Sequence, residues 1–211
     1  MDINEALRDG VIDVARRAAT EILAVYDGDF AVQHKGDDSP LTAADLAAHR
    51  CITAGLAALT PGVPVLSEES SDVDIALRRQ WRRFWLVDPL DGTREFIKRN
   101  GEFTVNIALV EDGVAVFGVI QQPVTDGLWH GTLGQGAYRR EGDHDIAIRT
   151  RMPATAPLTV AASRSARRVP PQLRVNAARV RRPMLRLRRP QVPPDWTKAR
   201  QRTWRAQHVE A

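Results

Sequence analysis

Apolar residues recur every three or four positions through residues 3–26, INEALRDGVIDVARRAATEILAVY, placing Leu7, Val11, Val14, Ala18, Ile22 and Val25 on one stripe. That spacing predicts an amphipathic helix, stopped by Asp27-Gly28-Asp29. Residues 42–59, TAADLAAHRCITAGLAAL, predict a second helix with Thr42 as its N-cap and Thr60-Pro61-Gly62 as its end. VPVL at 63–66 reads as a short buried strand running into Ser67-Glu68-Glu69-Ser70. Residues 72–81 predict a short surface helix, and RFWLVDPL at 83–90 the next strand. The period then changes from helical spacing to β-branched runs. FTVNIALVEDG and VAVFGVIQQPV meet at Glu111-Asp112-Gly113, a hairpin signal. GLWHGTL, GAYRR, HDIAIRT and LTVAASRS, the last at 158–165, predict further short strands. A helix pair followed by an antiparallel-rich sheet indicates an α/β fold of layered, α+β character.

Beyond Arg164 this pattern stops. The remaining chain is rich in Arg and Pro, and Pro170, Pro171, Pro183, Pro190, Pro193 and Pro194 interrupt any long element. Charge divides at the same place. Residues 1–163 carry 16 basic and 24 acidic side chains, whereas residues 164–211 carry 14 and 2. The expected organisation is therefore a domain over 1–165 and an irregular Arg/Pro-rich tail over 166–211.

A single cysteine, Cys51, excludes an internal disulfide and suits a reducing compartment. Within its helical pattern it reads as a small buried apolar residue. The polar start MDINEALRDG has neither signal-peptide nor transit-peptide character. No apolar run approaches the roughly 18 residues of a membrane span. A cytoplasmic location is expected, with a peripheral place at the inner face of the cell membrane as the variant a basic tail would allow.

Two acidic clusters follow two successive strands: Glu68 and Glu69 after VPVL, Asp88 and Asp91 after FWLV. If the strands are neighbours, their ends bring the clusters together. Carboxylates gathered in one place repel unless a cation neutralises them. Oxygen ligands without His or Cys suit a hard ion, Mg²⁺ or Mn²⁺. Asp88 and Asp91 sit three apart around a proline-fixed turn and can point the same way. The Leu90 carbonyl offers another oxygen. Gly92 would let backbone approach an anion, and Thr93 starts a further helix, whose N-terminus favours phosphate. Each stretch alone reads as a turn or a solvated helix start. Both at strand ends read as a site for metal and phosphate.

The ordered set SPLTAAD, VLSEES, WLVDPLDGTREFI and FTVNIALVEDG resembles the inositol monophosphatase superfamily over about residues 5–165. Arg94-Glu95-Phe96 after the Thr looks most like the superfamily's 3'(2'),5'-bisphosphate nucleotidases. The resemblance implies a layered sugar-phosphatase fold and Mg²⁺-dependent hydrolysis of phosphate monoesters, with two or three ions and inhibition by Li⁺. The implied substrate is a small bisphosphate nucleotide, adenosine 3',5'-bisphosphate, losing its 3'-phosphate. Glu68, Asp88 and the Leu90 carbonyl would hold the first metal, and Asp88 and Asp91 would share a second. Thr93, donating to Asp45 and oriented by it, would position the attacking water, with Glu69 on the same water network. The backbone of Gly92 and Thr93 would cradle the phosphate. Lys35 would help bind a third metal or the substrate.

The chain departs from the pattern after Ala161-Ala162-Ser163-Arg164-Ser165. The superfamily continues into a second α/β part, with a Trp-Asp-x-Ala-Ala-Gly stretch whose Asp completes the second metal site. Pro194-Asp195-Trp196-Thr197 has the wrong order for it. The expectation is that residues from about 166 onward are not homologous to the superfamily, as a shifted reading frame on a GC-rich gene would leave them. The second α/β part would then be missing and the activity of this chain impaired. Two rival readings stand beside this one. One keeps the enzyme and changes the substrate to inositol 1-phosphate or fructose bisphosphate. The other takes the chain as an inactive fragment whose basic tail, with Trp196 and Trp204, binds polyanions without preference for a particular nucleic acid. The oligomeric state is left open by the sequence.

Overall fold

Two helices lie against a seven-stranded sheet in the computed structural model, which describes residues 3–28, 32–34, 40–70 and 74–150, without the side chains of 32–34 and 40–42. The expectations for the Thr42 side chain, Lys35, the strand at 158–165 and the tail lie outside the described residues.

Helix α1 spans Glu5–Tyr26 and α2 spans Ala43–Leu59. Asn4 caps α1 by accepting from Leu7 N at 2.9 Å. The predicted stripe is the buried one: Val11, Val14, Ala18 and Ile22 are all fully buried. On α2, Ala44, Ala48, Ile52 and Leu56 are buried likewise. The two helices pack on each other, and Gly55 permits their close approach, since a Cβ there would meet Val14 Cγ2 at 2.5 Å. Cys51 differs from its expectation. It is half-buried, beside the outer groove between the helices rather than inside the core, and burial pushes its thiol pKa up.

The sheet runs in the order β3-β4-β5-β6-β7-β8-β9. Its strands are β3 Val65–Ser67, β4 Arg83–Asp91, β5 Thr104–Glu111, β6 Val114–Gln122, β7 Gly127–Thr132, β8 Gly136–Glu141 and β9 His144–Ile148. The β3–β4 pair is parallel and the pairs from β4 to β9 are antiparallel. The foreseen hairpin has Asp112 and Gly113 at φ 47° and 78°, the left-handed pair that matches strand twist in a two-residue loop. The surface helix α3 is short, Ile75–Arg78, and α4 is Thr93–Ile97. A small antiparallel hairpin, β1 Val32–His34 with β2 Pro40–Thr42, was not expected from the sequence. Among the described residues, no helix is long and apolar enough to cross a membrane.

Alternation decides which sheet face meets the helices. Trp85, Val87, Val105, Ile107, Leu109, Phe117, Val119 and Leu128 join the core of α1 and α2. Phe84 and Val110 point the other way, into a small cluster with Leu66. Trp85 is fully buried, and its indole N–H donates to Thr60 Oγ1 at 2.9 Å; that hydroxyl donates to Leu56 O at 2.9 Å. Thr60 thus ties the end of α2 to β4. Replacing Thr60 by Val strands a buried indole donor, and the unfolding free energy should fall by about 1–3 kcal/mol, read from the urea midpoint.

An ionic network fastens α1 to the far strands. Arg140 donates to Asp9 Oδ1 on α1 at 2.9 Å, and to Asp145 Oδ1 and Oδ2 at 2.5 and 3.2 Å. His130 Nε2 lies 2.9 Å from Asp145 Oδ1 and its ring stacks on Tyr138. Burial pushes the Asp145 carboxyl up, but the hydrogen bonds from Arg140 and His130 prevail and hold it at about 2, against an ordinary 3.8. A carboxyl pKa depressed by folding adds stability above its unfolded value and loses it as pH falls through the folded one. The urea midpoint should therefore fall between about pH 4 and pH 2, and Asp145→Asn should flatten that slope while lowering stability at neutral pH.

Candidate metal and phosphate site

The parallel pairing of β3 with β4 sets Ser67 opposite Val87. The ladder continues one bond further, Glu68 N donating to Val87 O at 3.0 Å. Glu68 and Asp88 therefore follow side by side on the two neighbouring strands. Glu68 and Glu69 are half-buried in the turn that follows.

Asp88 and Asp91 are brought into phase differently from the expected turn. β4 continues through Asp91, with Asp88 opposite Asn106 and Asp91 opposite Thr104. Three steps on β4 thus match two on β5, so one extra residue bulges at Pro89-Leu90. In a regular strand, residues three apart face opposite ways; a bulge returns them to one side. Asn106 is the register partner of Asp88, and its Nδ2 lies 3.5 Å from Asp91 Oδ2. Thr104 Oγ1 holds the Asn106 carbonyl oxygen at 3.2 Å. Sequence reasoning passed over Asn106. Its signal was a lone amide inside the apolar run TVNIALV.

Gly92 turns the chain into α4 at φ 96° and ψ 36°, a left-handed conformation. A Cβ there would lie 2.9 Å from Glu102 O and 3.2 Å from Phe103 Cα. Close backbone packing therefore requires this glycine, independently of any anion. The first helical bond of α4 is Phe96 N to Gly92 O, at 2.9 Å. Its earlier N–H groups have no acceptor inside the helix. Phe96 anchors α4, packed against Tyr26 and Phe103 with ring centroids 5.0 and 5.1 Å away. Arg99 ties the residues after α4 to the end of α1, donating to Tyr26 O and Gly28 O at 2.6 Å each.

Thr93 Oγ1 donates to Leu90 O at 3.3 Å. Asp45 is buried, 3% exposed, in the first turn of α2. His49, one turn further on, reaches Ser67, its Nδ1 lying 2.9 Å from Ser67 Oγ. Burial pushes the His49 pKa down, against the pull of the Glu69 carboxylate.

Glu68, Asp88, Leu90, Asp91, Gly92 and Thr93 thus share the C-terminal ends of β3 and β4 and the start of α4, while Asp45 comes from α2. Lys35 lies outside the described residues. Among the described residues, no three His, Cys, Asp or Glu side chains are already gathered as a cation cage. The fit to a metal rests on donor chemistry and backbone placement: three carboxylates and a carbonyl, all oxygen, suited to a hard divalent ion.

Comparison with known proteins adds to this geometry. The model of the inositol monophosphatase family matches residues 4–189, beyond the 165 to which the resemblance was expected to extend. The 3'(2'),5'-bisphosphate nucleotidase CysQ of Salmonella typhimurium is 53% identical over 133 residues, 62% of this chain and 53% of that protein. The chain spans about half the length of the curated relatives it matches. Among solved structures, CysQ from Bacteroides thetaiotaomicron superposes with a TM-score of 0.57 at 46% identity, covering 69% of this chain and 54% of that one. The extragenic suppressor protein suhB from Bartonella henselae gives 0.58 at 31%, covering 65% and 52%.

Gly92→Ala should cost about 1–3 kcal/mol, from the left-handed backbone together with the contact on Glu102 O. Equilibrium unfolding in urea measures this, and an unchanged midpoint would contradict the packing described for the β4–α4 turn.

Proposed function

Because the chain belongs to the inositol monophosphatase family, we propose that the ends of β3 and β4 form the metal and water-positioning part of a Mg²⁺-dependent phosphomonoesterase site. Its proposed substrate is adenosine 3',5'-bisphosphate, which would lose the 3'-phosphate. The observation that carries this reading is the parallel β3–β4 register combined with the β4 bulge. It delivers the backbones of Glu68, Asp88 and Asp91 to one place, where an apolar sheet ends. The similarity to CysQ proteins supports the choice of substrate.

Glu68, Asp88, Asp91 and the Leu90 carbonyl are the proposed metal-holding groups. A divalent cation held there supplies Lewis acidity toward water and phosphate oxygens. The remaining roles belong to the chain's own groups. A carbonyl has two lone pairs, so Leu90 O can accept from Thr93 and still face a cation. With its proton turned to Leu90, the Thr93 hydroxyl offers its lone pairs to a water and orients it. Asn106 restrains Asp91 from the side. The N–H groups of Gly92 and Thr93 are suited to phosphate oxygens. Asp45 and Glu69 border the same place and complete the proposed water network.

Phosphate release from adenosine 3',5'-bisphosphate should depend on Mg²⁺, fall with Li⁺, and exceed release from inositol 1-phosphate. Mn²⁺ binding, read by electron paramagnetic resonance, gives an assay independent of turnover. Asp91→Asn should weaken Mn²⁺ binding by about tenfold or more, since even an outer-sphere substitution can cost that much. Thr93→Ala should leave Mn²⁺ binding within about twofold and lower turnover by about a hundredfold. Full Mn²⁺ affinity in Asp91→Asn, or normal turnover in Thr93→Ala, would overturn the corresponding assignment.

A further inference from the structure

The turn that carries Glu68 and Glu69 lies at the edge of the described sheet. Among the described residues, β3 has three residues and is the edge strand, hydrogen-bonded to β4 alone. Beyond it the chain turns at once: Ser70 N donates to Ser67 O at 3.0 Å. Ser67 lies at the root of this turn and is 4% exposed. Its N–H donates to Ser70 Oγ, and its own Oγ accepts from Glu69 N, each at 3.3 Å. The Ser67 side chain thus controls the direction in which the two glutamates emerge, and among the described residues no second strand supports it from the far side.

Support comes from α2. His49 Nδ1 meets Ser67 Oγ at 2.9 Å. His49 lies four residues after Asp45, so both project from one face of the helix. A single rigid helix therefore carries Asp45 to the site and, one turn later, grips the hydroxyl that sets Glu69 N. We propose that His49 is a positioning residue that acts through Ser67 to hold the Glu68–Glu69 turn in register with Asp45, and so sets the affinity of the site for a divalent cation. This rests on the metal-site reading given above. Outer-sphere hydrogen bonds that orient metal-binding groups are worth about 10–100-fold in metal affinity, which gives the size of effect to look for.

Mn²⁺ binding to the full chain, read by electron paramagnetic resonance, tests the proposal apart from catalysis. His49→Ala should weaken Mn²⁺ binding about tenfold. His49→Asn should restore most of it, because the Asn amide places a polar atom as many bonds from Cα as imidazole Nδ1. His49→Gln, whose polar atoms lie one bond further out, should not. Ser67→Ala should match His49→Ala, and the double variant should be no worse than either single one, since both remove the same link. If wild type binds Mn²⁺ and Asp91→Asn loses it while His49→Ala keeps it within twofold, the positioning role is wrong and the metal reading stands. If wild type binds no Mn²⁺, the metal reading fails and this inference falls with it. Should His49→Ala not fold, the His49→Asn and His49→Gln pair carries the test, and equal affinities in the two would overturn the proposal.

Discussion

The parallel hydrogen bonding between β3 and β4 is the constraint on which the candidate site depends. Only a parallel pair has both strands ending at the same edge, so that acidic residues following two separate apolar runs become neighbours. An antiparallel pair would have sent Glu68 and Asp88 to opposite ends of the sheet. The register adds the finer control. With Ser67 opposite Val87 and the ladder extended to Glu68 N, the first acidic residue of each strand emerges at the same level. Everything else at the site adjusts around that level: the bulge before Asp91, the left-handed Gly92 that starts α4, and α2 laid over the strand ends.

Charge and burial are kept apart in this design. The strands bury Trp85, Val87, Ile107 and Leu109 against the helices, and the polar groups collect where the strands stop. Two further polar arrangements lie away from the strand ends and serve packing. Thr60 satisfies the Trp85 indole, and Arg140 with Asp145 and Asp9 joins the far strands to α1. The first is neutral and small. The second is half-buried, and its guanidinium is bonded to two carboxylates.

Much of this was legible in the sequence, for physical reasons. The α1 stripe is continuous, so burial follows its period directly. The β5–β6 hairpin has β-branched runs and an Asp-Gly at its turn. The adjacency of β3 and β4 followed from two successive apolar runs. Other features were hidden. A bulge leaves no composition of its own, and Asp88-Pro89-Leu90-Asp91 read as a turn because proline and aspartate favour turns. Strands β1 and β2 are three residues each and have no alternation to detect. Cys51 was assigned to the interior on its chemistry, yet the face of α2 toward the outer groove has room for small residues. The Thr93 hydroxyl meets Leu90 O because the tight β4–α4 turn puts that carbonyl within reach. Asn106 and His49 each carry a weak local signal, one polar residue in an apolar run and one histidine a turn after an aspartate. Their significance comes from what lies across from them.

The strand order also has a consequence for the chain's route to this structure. From β5 to β9 each strand pairs with the next across connections of two to four residues, so these contacts close small loops at little entropic cost. β3 and β4 are joined instead through residues 68–82, including α3, and β4 reaches β5 only through residues 92–103. The two longest connections within the sheet therefore flank the strand that bears Asp88 and Asp91. The meander can assemble from local contacts, whereas β3, which leads into Glu68, is reached by the longest connection and offers a ladder of three residues to offset it. The part of the sheet proposed to carry the chemistry is thus the part whose formation leans most on a template already in place.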